Sequence, residues 1–187
     1  MERREFLKTC GAGLALGAGL VAASPTAAAK PAGGGKRIDP DKLGETAYQQ
    51  FIPGKLTCGE SILIAGCEAL GIETDLVPDI GLGLAGGIGL QGQVCGVLTG
   101  SAMILSLAVA QLESDYPKRK MRTWQAVGRF HDAFKERFGS IQCRALSGLD
   151  LTTPEGKQKL KESVKAQTCA NFVRAGAELL AQELQRL

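Results

Sequence analysis

The chain has 187 residues, with 22 lysines and arginines against 19 aspartates and glutamates and a formal net charge of +3. So small an excess sets up no strong overall field for nucleic acid or an anionic membrane. A single histidine and no nucleophile–base constellation give no support to hydrolase chemistry. No internal repeat is present.

The first residues read Met1-Glu2-Arg3-Arg4-Glu5-Phe6-Leu7-Lys8, and Arg3-Arg4-x-Phe6-Leu7-Lys8 resembles the twin-arginine export signal. An apolar, glycine- and alanine-rich stretch from Gly11 to Ala23 follows, then a small-residue cleavage pattern at Ala27-Ala28-Ala29. In that order they describe a removable signal over residues 1–29 and a periplasmic or extracytoplasmic address. Cys10 precedes the apolar region, so it is not placed as a lipoprotein cysteine. The twin-arginine route carries folded proteins, frequently already loaded with a cofactor, and the resemblance points toward one here. Residues 30–40, rich in glycine and lysine, read as a flexible leader. The remainder, 41–187, is long enough for one core of its own.

Helical signals run through that domain in order. Asp41 to Phe51 reads as a helix stopped by Pro53-Gly54. Thr57-Cys58-Gly59-Glu60 has the form of a capping box, which places Cys58 in the first turn of a helix ending at Gly71. Residues 74–93 are less regular, and 94–112 form a long apolar helix. The basic run Lys118-Arg119-Lys120-Met121-Arg122 begins a solvated helix; a docking patch for an acidic redox partner is the sharper reading of it. Arg122 to Phe138 carries Val127, Phe130, His131, Phe134 and Phe138 at helical spacing. Ser140 is placed to cap a short helix containing Cys143. Pro154 opens the last segment, where Cys169, Phe172, Val173, Gly176, Leu180 and Leu184 share a face. Strand-type alternation is nearly absent, so the expected fold is all-α with glycine-rich connections.

Two motifs are set aside. Gly81-Leu-Gly83-Leu-Ala-Gly86 matches the dinucleotide fingerprint in letters, but that site needs a strand before it, a helix after it and an acid about twenty residues on. Pro78-Asp79 precedes it here, and Ala102 to Leu112 contains no acid. The uncharged stretch 80–112 resembles a membrane span in hydropathy, yet glycines, Gln91 and Gln93 break its first half. The helix 94–112 is expected in the core, packed closely through Gly96, Gly100, Ser101 and Ala102, with no stable membrane insertion of the mature chain.

Five cysteines remain after the signal, at 58, 67, 95, 143 and 169. Two disulfides and one free thiol would suit an oxidising compartment. Alternatively, Cys58, Cys95 and Cys143 fall in first helical turns, where free N–H groups and the helix dipole favour the thiolate that iron or zinc requires. Glycines beside Cys58 and Cys95 allow backbone N–H groups to approach sulfur. Cys169 points from its helix toward the core. Cys67, nine residues after Cys58 and half a turn out of phase, reads as a small core residue. His131 lies with Val127 and Phe134 and is expected to be a core histidine bonded to a carbonyl.

Between about Tyr48 and Leu184 the chain resembles the C_GCAxxG_C_C family of redox-active proteins. Phe51-x-x-Gly54-x-x-x-Cys58 resembles the family's first cysteine region. Gly92-Gln-Val-Cys95-Gly96-Val97-Leu98-Thr99-Gly100 resembles its central element, with Val97 where alanine is usual. Phe138-Gly139-Ser140-Ile141-Gln142-Cys143 resembles the third region, and Cys169 stands in the fourth place. Cys67 lies outside the pattern. A related domain accompanies the haems of split-Soret cytochrome c, where a non-haem iron–sulfur cluster is proposed; this chain has no C-x-x-C-H for covalent haem.

The resemblance implies that Cys58, Cys95, Cys143 and Cys169 act together. Four thiolates suit an iron–sulfur cluster, of two or four irons, or less favourably a structural zinc. The expected protein is an exported electron carrier or accessory to a redox complex, with a redox partner protein and no nucleic acid. Two other classes stay open: a metal-free thiol–disulfide protein, and a structural or binding protein stapled by zinc or disulfides.

Overall fold

The computed structural model describes residues 37–187. The twin-arginine segment 1–29 and leader residues 30–36 lie outside the described residues. Seven α-helices are described: α1 Pro40–Phe51, α2 Cys58–Leu70, α3 Gly96–Leu112, α4 Tyr116–Phe138, α5 Cys143–Ser147, α6 Pro154–Lys159 and α7 Ala170–Leu184. A 3-10 turn, Asp79–Leu84, lies between α2 and α3, and a π-helical stretch, Leu160–Cys169, joins α6 to α7. Among the described residues there is no strand, and the all-α expectation holds; the isolated antiparallel bridge Val94–Gln142 is the one extended pairing there.

The helix ends follow local chemistry. Asp39 accepts N–H bonds from Asp41 and Lys42, with Pro40 at the first helical position. Ile38 packs on the core and its carbonyl accepts from the Gln185 side chain, so the end of the expected leader belongs to the fold. The Thr57–Glu60 capping box is complete, and Gly71 closes α2 in the left-handed conformation. Helix α4 starts at Tyr116, two residues before the basic run expected to begin it at Lys118, because Asp115 caps it. Gln142 takes the N-cap position of α5, and the Ser140 hydroxyl accepts from its N–H instead of capping the helix itself.

Helix α1 packs between α7 and α2, α2 lies along α3, and α3 also meets α4 and α7. Phe130 and Phe134 of α4, Ile62 and Leu63 of α2, Ile104 and Leu105 of α3, and Leu180 of α7 are fully buried at the centre. Helix α3 is apolar nearly all round and lies in this core, as expected for 94–112. No helix among the described residues is long and apolar enough to cross a membrane. Phe130, Phe134, Phe138 and Phe172 form an aromatic row, with successive centroids 6.2, 4.6 and 5.2 Å apart. It runs from the middle of the core toward the cysteine site. Cys67 is buried in the core cluster, where burial pushes its thiol up.

A four-cysteine cavity

Four elements deliver one cysteine each. Cys58 opens α2, Cys95 caps α3, Cys143 opens α5 and Cys169 ends the π-helical stretch. All four line a single cavity of about 170 Å³. Apolar side chains, including Phe51, Leu90, Leu146, Leu151 and Phe172, make most of its wall, and Lys55 and Lys165 are its cations. Cys67 does not line it.

Backbone pairing fixes two of these positions. The Cys95 N–H donates to the Ile141 carbonyl (2.8 Å), the Cys143 N–H to Gln93 (2.6 Å), and the Arg144 N–H to Gly92 (3.0 Å). Residues 92–95 and 141–144 are thereby clamped together around the Val94–Gln142 bridge. The sequence carries no alternation long enough to announce this pairing.

A second device is the turn 86–90. Gly86, Gly87, Ile88, Gly89 and Leu90 all have positive φ, between 58° and 71°. Five consecutive left-handed residues are uncommon for L-amino acids, and the cost falls on Ile88 and Leu90, at about 1–2 kcal/mol each. Glycines carry the other three at little cost. The turn is closed by N–H bonds from Gly89 to Gly83, Leu90 to Ala85 and Gly92 to Gly86. It sends Leu90 into the cavity wall and sets Gly87 against Cys143, where a Cβ would come within 2.8 Å of the Cys143 Cβ. The Gly81–Gly86 stretch is thus a 3-10 turn leading into a left-handed one, not a strand-to-helix phosphate loop.

The Cys58 sulfur is the most polar point of the site. The Cys95 thiol donates to it, and so do the N–H groups of Gly86, Gly59 and Gly96; together these hold its thiol down at about 7 despite burial. Gly59 and Gly96 are the glycines expected beside sulfur. Gly96 is so close that a Cβ there would stand 2.4 Å from the Cys58 Sγ.

The other three thiols are held protonated, which for Cys95 and Cys143 runs contrary to the expectation from helix starts alone. Cys95 is pushed well above the usual thiol range by its bond to Cys58, then by burial and the charge on Cys58. Cys143 is raised to about 11 by burial and next by the Cys58 charge. Cys169 is raised to about 12 by burial and by the charges of Cys58 and Cys143. Desolvation and one neighbouring thiolate outweigh the helix dipole at these positions.

Lys165 was not singled out by its sequence. Its Nζ donates to the Leu56 carbonyl (3.1 Å) and lies 4.7 Å from the Phe51 ring centroid. Burial lowers its pKa, while the charges of Cys58, Cys169 and Glu60 favour its ammonium form. It stands one helical turn before Cys169, and that spacing is the one signal in the sequence. His131 departs from expectation: it is half-exposed, and its Nδ1 lies 2.9 Å from Asp132 Oδ1 on the surface of α4. The core positions of that helix go to Ala126, Phe130 and Phe134.

Among the described residues, no three His, Cys, Asp or Glu side chains converge closely enough to hold one metal ion. A single zinc needs its sulfurs about 2.3 Å from one point. The donor set is four soft thiols lining one cavity, the ligand type that iron and zinc take.

Residues 56–183 match the family described as "Putative redox-active protein (C_GCAxxG_C_C)". The chain belongs to this family. The match contains all four cavity cysteines and both clamped segments. An uncharacterized protein of Archaeoglobus fulgidus is 32% identical over 115 residues, which cover 57% of this chain and 76% of the archaeal one. No solved structure matches the chain.

Proposed function

We propose that this family member is an exported electron-transfer protein that holds one iron–sulfur cluster through Cys58, Cys95, Cys143 and Cys169. The observation that carries the reading is the meeting of four cysteines from four separate elements on one apolar cavity, while Cys67 is left in the core. When bound, such a cluster supplies one-electron transfer. The chain's own residues prepare the place. Gly59, Gly86 and Gly96 offer N–H groups to sulfur, as thiolate ligands of a cluster require. Lys165 offers a positive charge against a thiolate-rich centre. The apolar wall excludes water and keeps the effective dielectric low. The twin-arginine resemblance fits a protein folded around its cofactor before export.

Iron and acid-labile sulfide per chain, with the visible spectrum, test the proposal on anaerobically purified protein and on five Cys→Ser variants. Variants at 58, 95, 143 and 169 are expected to lose most bound iron, since a hydroxyl is a harder and less acidic ligand. Cys67→Ser is expected to keep it. Iron lost from Cys67→Ser and kept in one of the four would refute the ligand set.

A second reading rests on the hydrogen bond between the Cys58 and Cys95 thiols. In that reading the two thiols form a disulfide, releasing two protons and two electrons to an oxidising partner protein. A colourless protein with a Cys58–Cys95 linkage after mild oxidation would support it over the cluster.

A further inference from the structure

We propose that the amino-terminal half of α4 is a docking surface for an anionic lipid bilayer, on which Pro117, Met121 and Trp124 lie flat while Lys118 and Lys120, on either side of them, meet the headgroups. The apolar stripe follows helical geometry. Positions 117, 121, 124 and 128 are spaced i, i+4, i+7 and i+11 and share one face. Every one of them is exposed, Met121 by 50% and Trp124 by 60%, and a Cβ at Gly128 would meet open space. Leu112 and Tyr116, at the corner between α3 and α4, are exposed by 59% and 64%. Among the described residues no other helix covers this stripe, although its opposite face packs into the core through Ala126, Phe130 and Phe134.

Charge decides what kind of surface fits. From Tyr116 to His131 the helix contains no acid and five cations. Arg129 is paired with Glu183, and Arg122 donates to the Leu187 carbonyl (2.7 Å), which leaves Lys118, Arg119 and Lys120. The nearby acids are engaged with backbone: Asp115 caps the Lys118 N–H at 3.1 Å and Glu113 accepts from the Asp115 N–H at 3.0 Å. The positive charge that the whole chain averages away is therefore concentrated here.

The mixture of groups favours lipid over an acidic protein. Lys120 lies over the Trp124 ring (5.1 Å), so a cation and an amphipathic ring sit at one level beside the stripe, as at a bilayer interface, while Arg119 lies over Tyr116 (5.6 Å) on the other side of the helix. The neighbouring groove, bounded by Glu113, Pro117 and Met121, is shallow and open. Fourteen residues separate Trp124 from Phe138, the end of α4 nearest the cysteine cavity, which is about 21 Å along the axis. A partner that exchanged electrons with the cavity would dock closer to it. A surface at this distance anchors the protein and leaves the cavity free.

Trp124 is the chain's single tryptophan, so its fluorescence reports this contact directly. The full chain would be titrated with phosphatidylcholine vesicles, with and without phosphatidylglycerol, some brominated in the acyl chains. A blue shift and quenching are expected with the anionic vesicles, and two cations predict binding roughly thirtyfold tighter than to neutral ones. Lys118→Gln with Lys120→Gln should weaken it about thirtyfold with an unchanged circular dichroism spectrum. No shift with anionic vesicles, an equal shift with neutral ones, or a shift that survives the double substitution would overturn the proposal. A shift caused by polyglutamate and not by vesicles would also overturn it and put an acidic protein in the bilayer's place.

Discussion

Replacing Gly96 with alanine tests the tightest contact in the cysteine site. The new Cβ would lie 2.4 Å from the Cys58 Sγ, 3.0 Å from the Gly59 nitrogen and 3.2 Å from the Leu84 oxygen. Ordinary contacts between heavy atoms are about 3.5–4.0 Å, so the sulfur must retreat by roughly 1 Å. The backbone on either side cannot give way cheaply, because Cys95 is bonded to Ile141 and Gly59 lies in the first turn of α2. Overpacking of this kind costs about 1–3 kcal/mol. The retreat also lengthens the N–H bonds to Cys58, and its pKa should rise from about 7 toward the ordinary thiol value near 8.5. Gly128→Ala is the matched control. It lies mid-helix in open space, and alanine there should stabilise by up to about 1 kcal/mol. The assays are urea unfolding of reduced, metal-free protein and the pH profile of Cys58 alkylation, read by peptide mass spectrometry. If Gly96→Ala is as stable as Gly128→Ala and the alkylation midpoint stays near 7, the glycine does not hold the sulfur as described.

Stability of the reduced, metal-free protein should pass through a maximum near pH 8–8.5, followed by urea melts. Cys58 is depressed, so its contribution grows above pH 7 and is lost as pH falls through about 7. Cys95, Cys143 and Cys169 are raised, so their contribution is present below the ordinary thiol value and is lost as pH climbs toward 11 and 12. A steady decline from pH 6 upward would contradict this. In the cluster-loaded protein, Lys165→Gln should make the midpoint potential more negative, on the order of tens of millivolts, because it removes a positive charge that favours the added electron. An unchanged potential in voltammetry would show that the ammonium does not sense the centre. Changing Arg3-Arg4 to Lys-Lys should leave precursor in the cytoplasm, as judged by fractionation and immunoblot; normal export would remove the argument that the chain travels already folded around a cofactor.

Most of the helices were legible because their ends are written in side-chain chemistry. Thr57 and Glu60, Gly71, and Pro154 mark boundaries that any folded context would respect. The start of α4 is legible to within two residues from the basic run at Lys118, and Asp115 and Pro117 mark the first turn, where apolar spacing gives no signal before Arg122. That spacing cannot detect an exposed first turn, because nothing there is buried to set the period. Non-local and unusual backbone was not legible. The clamp between 92–95 and 141–144 rests on a handful of hydrogen bonds between segments nearly fifty residues apart. The ten-residue π-helical stretch rests on i→i+5 bonding, of which Ala170 N–H to the Lys165 carbonyl is the last. Residues 160–169 have ordinary helix-forming composition and give no sign of it.

The cysteine site divides along the same line. Its four members are those that the resemblance to the family's cysteine pattern implies, and the glycines beside Cys58 and Cys95 follow from what sulfur needs. The inequality among the thiols was not legible, because it depends on which sulfur ionises first. A helix N-terminus favours thiolate at Cys58 and Cys143 alike, yet only Cys58 has Gly59, Gly86 and Gly96 donating to it. Once it carries the charge, that charge and the apolar wall act against each of the others, so the dipole at Cys143 is overcome. The Cys95 thiol contributes most to lowering Cys58, and of the backbone donors Gly86, which opens the left-handed turn, contributes most. That turn spends backbone energy at Ile88 and Leu90 to bring one more N–H group to Cys58 and one apolar side chain to the cavity. Strain of this kind is kept where the surrounding fold holds it in place, and here the fold holds it against the four cysteines.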